Sequence, residues 1–193
     1  MKEINIKLKK NEEKIIPFVW LDDSTESEFN FKIDLNEQNS SVILLGIFLG
    51  TKESFLKFDT VVQHIGLNTK SLTILRAVFL NSSRFTNDGM IRIKKGAKNT
   101  NGYFDSKVLL FDNAQGRSVP SLEIDENEVR AGHGSTIGRP DENQLLYLRS
   151  RGISESAAER LIITGFFEPA LKLLDYVKRK EISDKISHAL HDL

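Results

Sequence analysis

The first two-thirds of the chain is a succession of short apolar runs of strand length, with no helical period between them. The runs are Ile4 to Leu8, Lys14 to Trp20, Phe29 to Ile33, Val42 to Leu49, Phe55 to Ile65, Leu72 to Leu80, Met90 to Lys94, Lys107 to Phe111 and Leu122 to Ile124. Several alternate apolar with polar residues, as Phe29-Asn30-Phe31-Lys32-Ile33 does, the pattern of a half-buried strand. Turn-forming residues separate them: Asp22-Asp23-Ser24, Asn36 to Ser41, Gly50-Thr51, Asn81 to Ser83, Asn87-Asp88-Gly89, Asn99 to Gly102 and Asp112-Asn113. Strand starts recur roughly every 10 to 18 residues, the spacing of a sandwich or of a solenoid whose coils each contribute strands. No tidy repeat chooses between the two.

The stretch from Leu122 to Phe167 carries the change from β to α. Leu122-Glu123-Ile124 and Val129-Arg130-Ala131 are extended pieces. They lead into a glycine-flanked histidine, Gly132-His133-Gly134-Ser135-Thr136, read as a turn on permissive backbone. Pro140-Asp141 then announces a helix, with Gln144 at capping-box spacing from Asp141, and Gly152 ends it. Ser154 caps a second helix, in which Ala158, Ile162, Phe166, Ala170, Leu173 and Val177 form an apolar stripe. Gly165 inside it suggests close backbone packing, and a last, weaker helix is expected over about Ser183 to His191. The chain thus divides into a β region, 1–138, and a helical region, 139–193.

Composition narrows the function classes. Lysine and arginine together number 27, as do aspartate and glutamate, so the basic excess of a dedicated nucleic-acid binder is missing. No apolar run approaches the ~20 residues of a membrane helix, and the first ten residues lack the apolar core of a signal peptide. A cytoplasmic protein is expected. The chain has no cysteine, which excludes disulfides and thiolate ligation of metals from its own side chains. No P-loop, HExxH, GxSxG or dinucleotide fingerprint is present, so no enzyme motif supports catalysis by this chain.

The segments LEIDENEV, GHGSTIGRPDENQLLYLRSRGI and the helix through GFF resemble, nearly colinearly, the SufB/SufD family, the non-ATPase subunits of the SUF iron–sulfur cluster assembly system. Val61 to Ser71 is similar to that family's VDH and NT-x-S elements. Arg76 to Leu80, Lys95 to Thr100 and Lys107 to Asp112 follow in order, so the likeness runs from about Val61 to Leu174. The resemblance implies a right-handed, single-stranded β-helix followed by a small helical region, and without cysteine the chain looks more like SufD than SufB. It implies a non-catalytic subunit that couples the motion of a SufC-like ABC ATPase to an assembly site between two β-helices. The partners would be that ATPase and a SufB-like chain or a second copy of this one. No cofactor is expected to stay bound, only a transient iron–sulfur cluster or iron. The alternative is a β-solenoid interaction module with no cluster role.

Among candidate residues, His133 stands first: the resemblance implies that it faces a partner subunit and, with a partner cysteine, helps build or pass on a nascent cluster. Imidazole is a competent iron ligand. Glu123, set opposite Leu122 and Ile124 on a strand, is a weaker oxygen donor, and His64 is a weaker candidate still, since a histidine within a β run is more often a hydrogen-bonded core residue. For partner binding the family-like helix ends point to Leu148, Arg149, Arg151, Ile162, Phe166 and Phe167. His188 and His191 have chelating spacing but read as a solvated tail pair.

Overall fold

The structure, a computed structural model, describes residues 1–22 and 25–191. It is a β-solenoid of five turns with three helices on one side. Each turn contributes one strand to each of two parallel sheets. Sheet A has the order β1 (Lys2–Lys7), β3 (Glu26–Leu35), β5 (Phe55–His64), β7 (Arg84–Ile93) and β9 (Gln115–Ile124). Sheet B has the order β10 (Arg130–Gly138), β8 (Asn101–Leu110), β6 (Lys70–Phe79), β4 (Ser41–Gly50) and β2 (Glu13–Asp22). The solenoid is therefore the correct choice of the two architectures. The turn placed at Asp22-Asp23-Ser24 lies in part outside the described residues.

A repeat does exist, hidden in the corners. Asn11, Asn39, Asn68 and Asn99 each adopt φ of 57–59°. Asparagine tolerates this left-handed conformation because its short polar side chain can hydrogen-bond locally. Here those side chains bond one another: Asn39 Nδ2 donates to Asn11 Oδ1 at 2.9 Å, Asn68 to Asn39 at 3.1 Å and Asn99 to Asn68 at 3.1 Å. The steps are 28, 29 and 31 residues, one turn each. Behind three of them sits a buried hydroxyl, Ser40, Thr69 or Thr100. The opposite corner repeats the device, with the Lys52 amide donating to Asn81 Oδ1 and the Asn81 amide to Asp112 Oδ2.

Two of the expected turns are not turns. Asn87-Asp88-Gly89 lies inside β7, and Gly132 to Thr136 lies inside β10. Asn87 is buried and spends its amide on the Phe58 carbonyl and on Ser118 Oγ, which satisfies a polar residue at an inward strand position.

The interior is lined by one face of every strand. Phe18, Phe31, Phe48, Phe58 and Phe85 stack along it, with neighbouring ring centroids 4.7–6.2 Å apart. The outer faces differ. β5 alternates strictly between buried and half-buried residues, whereas β4 is buried almost throughout. A strand covered on both faces reads as a continuous apolar run, and Val42 to Leu49 is one. What covers it is the helical layer. Leu45, Ile47, Leu49, Ile74 and Val78 meet Ile163, Phe167, Ala170 and Leu171 of α2 (Glu155–Leu171), and Ile182 and Ile186 of α3 (Tyr176–Ala189).

The helix starts are as expected: Asp141 caps α1 (Glu142–Ser150) by accepting from the Asn143 amide, and Ser154 caps α2 by accepting from Ala157. The buried stripe is not. Ile162-Ile163 and Phe166-Phe167 are doublets, so spacing allows two stripes about 100° apart. The sheet takes Ile163 and Phe167 and leaves Ile162 and Phe166 half-covered. α2 ends at Leu171, so Leu173 and Val177 fall outside it and are exposed, and α3 begins at Tyr176 rather than Ser183.

Candidate functional site at the open end of the solenoid

β9 and β10 are the last strands of their sheets, so the far edge of each has no strand partner among the described residues. His133 sits in the middle of β10, in register with Phe104 of β8. The flanking Gly132 pairs with Tyr103, whose ring is exposed on the outer face. Phe104 is buried in the interior. Partners in a parallel register point the same way, so His133 faces the open mouth of the solenoid. Ala131, Ser135 and Ile137 share that face; Ser135 Oγ donates to the Ser118 carbonyl at 3.5 Å. The imidazole itself is exposed and makes no hydrogen bond within the described residues. Both nitrogens are available to something outside the chain.

His64 is in the opposite situation. It is 0% exposed, in the third turn. Nδ1 lies 2.8 Å from Thr69 Oγ1, and Nε2 lies 2.8 Å from Ser71 Oγ. Thr100 Oγ1 donates its only proton to the Ala97 carbonyl at 2.8 Å, so across the 3.1 Å contact it accepts from Thr69. Thr69 has then used its proton, so Nδ1 must donate to Thr69 and Ser71 must donate to Nε2. The ring is the neutral Nδ1–H tautomer with both nitrogens occupied. Burial lowers its pKa from 6.5 to about 4. Gly102 leaves the necessary space: a Cβ there would come 3.3 Å from Nε2. His64 is therefore built into the core and is closed to a metal.

Glu123 is also committed. Its carboxylate accepts from Arg92 Nε at 2.8 Å and Lys94 Nζ at 2.9 Å on the outer face of sheet A, and the Lys94 bond holds its pKa below the usual value. Two cations beside one carboxylate oppose the binding of a third. His188 lies on α3 near the chain end, and His191 follows that helix. No group of three histidine, aspartate or glutamate side chains converges as a metal site among the described residues. His133 is thus a lone donor, and a metal bound there would need ligands from elsewhere.

The second candidate surface lies between α1 and α2. None of the residues of α1 is buried: Leu146 is 66% exposed, Tyr147 59%, and Leu161 of α2 53%. Two adjoining hollows of about 390 and 330 Å³ share Gln144 and Ile162 in their walls. Leu148 lines the first and Phe166 the second. A Cβ on Gly165 would meet nothing within 4 Å, so this glycine is not a close-packing site but part of the groove. Arg149 and Arg151 stand exposed at the end of α1; Arg149 is 3.6 Å from Glu155, and Arg151 lies 5.2 Å over the Tyr147 ring. Phe167, expected on this surface, is fully buried against the sheet and cannot touch a partner. Leu146, Tyr147 and Leu161 were missed; their signal is an apolar residue on an otherwise polar helix face.

The family model for "SUF system FeS cluster assembly, SufBD core domain" matches residues 23–166. The chain belongs to the SufB/SufD family. The match begins well before Val61, so the second turn, β3 and β4, is part of the core domain, while β1 and β2 precede the matched residues. Similar proteins include the iron–sulfur cluster assembly protein SufD of Bacillus subtilis, 36% identical over 140 residues, 71% of this chain and 32% of that protein. A SufBD family iron–sulfur cluster assembly protein of Mycobacterium tuberculosis is 34% identical over 157 residues, 76% of this chain and 40% of the relative. Another, from Mycobacterium bovis, is 26% identical over 159 residues, covering 80% and 19%. The chain spans less than half the length of these SufBD relatives. No helix among the described residues is long and apolar enough to cross a membrane.

Proposed function

We propose that this SufBD chain is a SufD-like, non-catalytic subunit of the cytoplasmic SUF machinery, and that it brings His133 to a seam with a second β-solenoid. The observation that carries the reading is the placement of His133: exposed, unbonded and central on a strand whose outer edge is open. An unpaired strand edge is a template for another chain. The partner there is a SufB-like chain or a second copy of this one. Because this chain has no cysteine, thiolate ligands for iron at the seam come from the partner. Iron and cluster are cargo, held in passing.

The α1–α2 groove is the matching surface for a SufC-like ABC ATPase. It offers Leu146, Tyr147 and Leu161 as apolar anchors, with Arg149 and Arg151 at the rim. α2 also rests on β4 and β6 through Phe167 and Ile163, so a pull on the groove is transmitted to the sheet that ends in β10.

The test is reconstitution with the ATPase and the partner solenoid. His133→Ala should leave complex formation and ATP hydrolysis in place and abolish cluster delivery to an apo-protein. Leu161→Asp should weaken ATPase binding while the solenoid stays folded. Unchanged cluster delivery by His133→Ala would leave an interaction module without a cluster role.

A further inference from the structure

The glycines on either side of His133 are not explained by backbone conformation. The glycines with positive φ are Gly96 and Gly152, so Gly132 and Gly134 lie in ordinary extended space within β10. Glycine there weakens a strand, and it commonly marks a place where another group approaches closely. The group is Tyr103. A Cβ on Gly132 would lie 2.8 Å from Tyr103 Cε2 and 3.1 Å from Cδ2. A Cβ on Gly134 would lie 3.6 Å from the Tyr103 hydroxyl and 3.8 Å from Asp105 Oδ1. The ring therefore runs along the outer face of β10 from Gly132 to Gly134. It passes directly behind His133, whose side chain leaves the strand on the other face.

We propose that Tyr103 is a positioning residue for His133: its ring is a strap across the glycine-bared outer face of β10, holding the edge strand, and with it the imidazole, in place at the mouth of the solenoid. The second group facing Gly134 is fixed too. Asp105, the next outward residue of β8, is held by Arg76 Nη2 at 2.5 Å, and Arg76 is buried on the same face. Without the ring, a strand paired along one edge only and carrying three glycines would open readily, since local opening tracks how little apolar contact a segment has. The inference rests on the assignment of His133 to cluster work.

The experiment uses the full chain for imidazole proton NMR and amide exchange, and the complex with ATPase and partner solenoid for cluster delivery. Tyr103→Ala should speed exchange at residues 132–134 several-fold relative to β8, broaden the His133 ring signals and lower cluster delivery, with complex assembly intact. Tyr103→Phe should behave as the parent, because the ring provides the contact. Gly132→Ala, which forces the ring aside, should reproduce Tyr103→Ala; adding Tyr103→Ala to it should cause little further change. Unchanged exchange and unchanged ring signals in both Tyr103→Ala and Gly132→Ala would overturn the strap. If Tyr103→Ala loosens β10 but neither it nor His133→Ala alters cluster delivery, the strap stands and the role of His133 falls.

Discussion

The third turn and the last turn of this solenoid each carry an inward-facing histidine, and the two have opposite fates. His64 lies under a further turn, which seals it, and a chain of hydroxyls accounts for both of its nitrogens. His133 occupies the same kind of position in the final turn, where no strand among the described residues stacks above it. The difference is one of place in the stack rather than of residue type. A solenoid makes every inward position a core position except at its ends, and an end is where an inward imidazole can meet another molecule.

That contrast predicts a division of effects. His64→Ala removes a buried ring and takes away the hydrogen-bond partner of the Ser71 hydroxyl, and should destabilise the chain by about 3 kcal/mol in urea unfolding. His133→Ala should change stability by no more than about 0.5 kcal/mol, as an exposed substitution does. Equal losses from the two would erase the distinction between sealed and open turns.

The pH dependence sharpens it. The folded-state pKa of His64 is depressed to about 4 from 6.5, so between these values the unfolded chain holds the extra proton. The contribution of neutral His64 to stability is therefore complete above pH 6.5 and falls as the pH drops towards 4, by roughly 3 kcal/mol over the window at about 1.4 kcal/mol per unit. His64→Gln should flatten this slope, measured as unfolding free energy against pH.

The sequence made these two environments legible to different degrees. Strand count and the change to helix could be read from the apolar runs, and the unbroken run Val42 to Leu49 already carried the double burial of β4. The turn repeat escaped because it is two residues in about thirty: Asn39-Ser40, Asn68-Thr69 and Asn99-Thr100 hold the corner while the strands between them share only an alternation. Asn87-Asp88-Gly89 and Gly132 to Thr136 misled for the converse reason. Their turn-prone residues are strand residues here, chosen by what lies against them: Phe58 and Ser118 for Asn87, and Tyr103 for the glycines. Long-range packing of that kind has no local signature. The Ile162-Ile163 and Phe166-Phe167 doublets showed that a helix was apolar but not which face it would bury.

The corner ladder offers a smaller test of the same closed region. Asn68 bonds the asparagines above and below it at φ 57°. Asn68→Ala places a Cβ without a hydrogen-bonding side chain in left-handed space and should cost about 1–2 kcal/mol. Asn68→Gly removes the strain term and should cost less. A loss as large for glycine as for alanine would show that the amide ladder, not the backbone, holds the corner.

The smallest effect belongs to the other open surface. Gly165 sits mid-helix in α2 with empty space beyond its Cα. Gly165→Ala should raise stability by up to about 1 kcal/mol, because the helix loses its most flexible residue and nothing is displaced. Gly165→Leu should leave the fold equally stable but fill the hollow bordered by Leu161, Ile162 and Phe166. The two variants separate helix propensity from docking. If the groove seats the ATPase, leucine should weaken binding in calorimetric titration and alanine should not; binding unaffected by leucine would move the docking surface elsewhere on the helical layer.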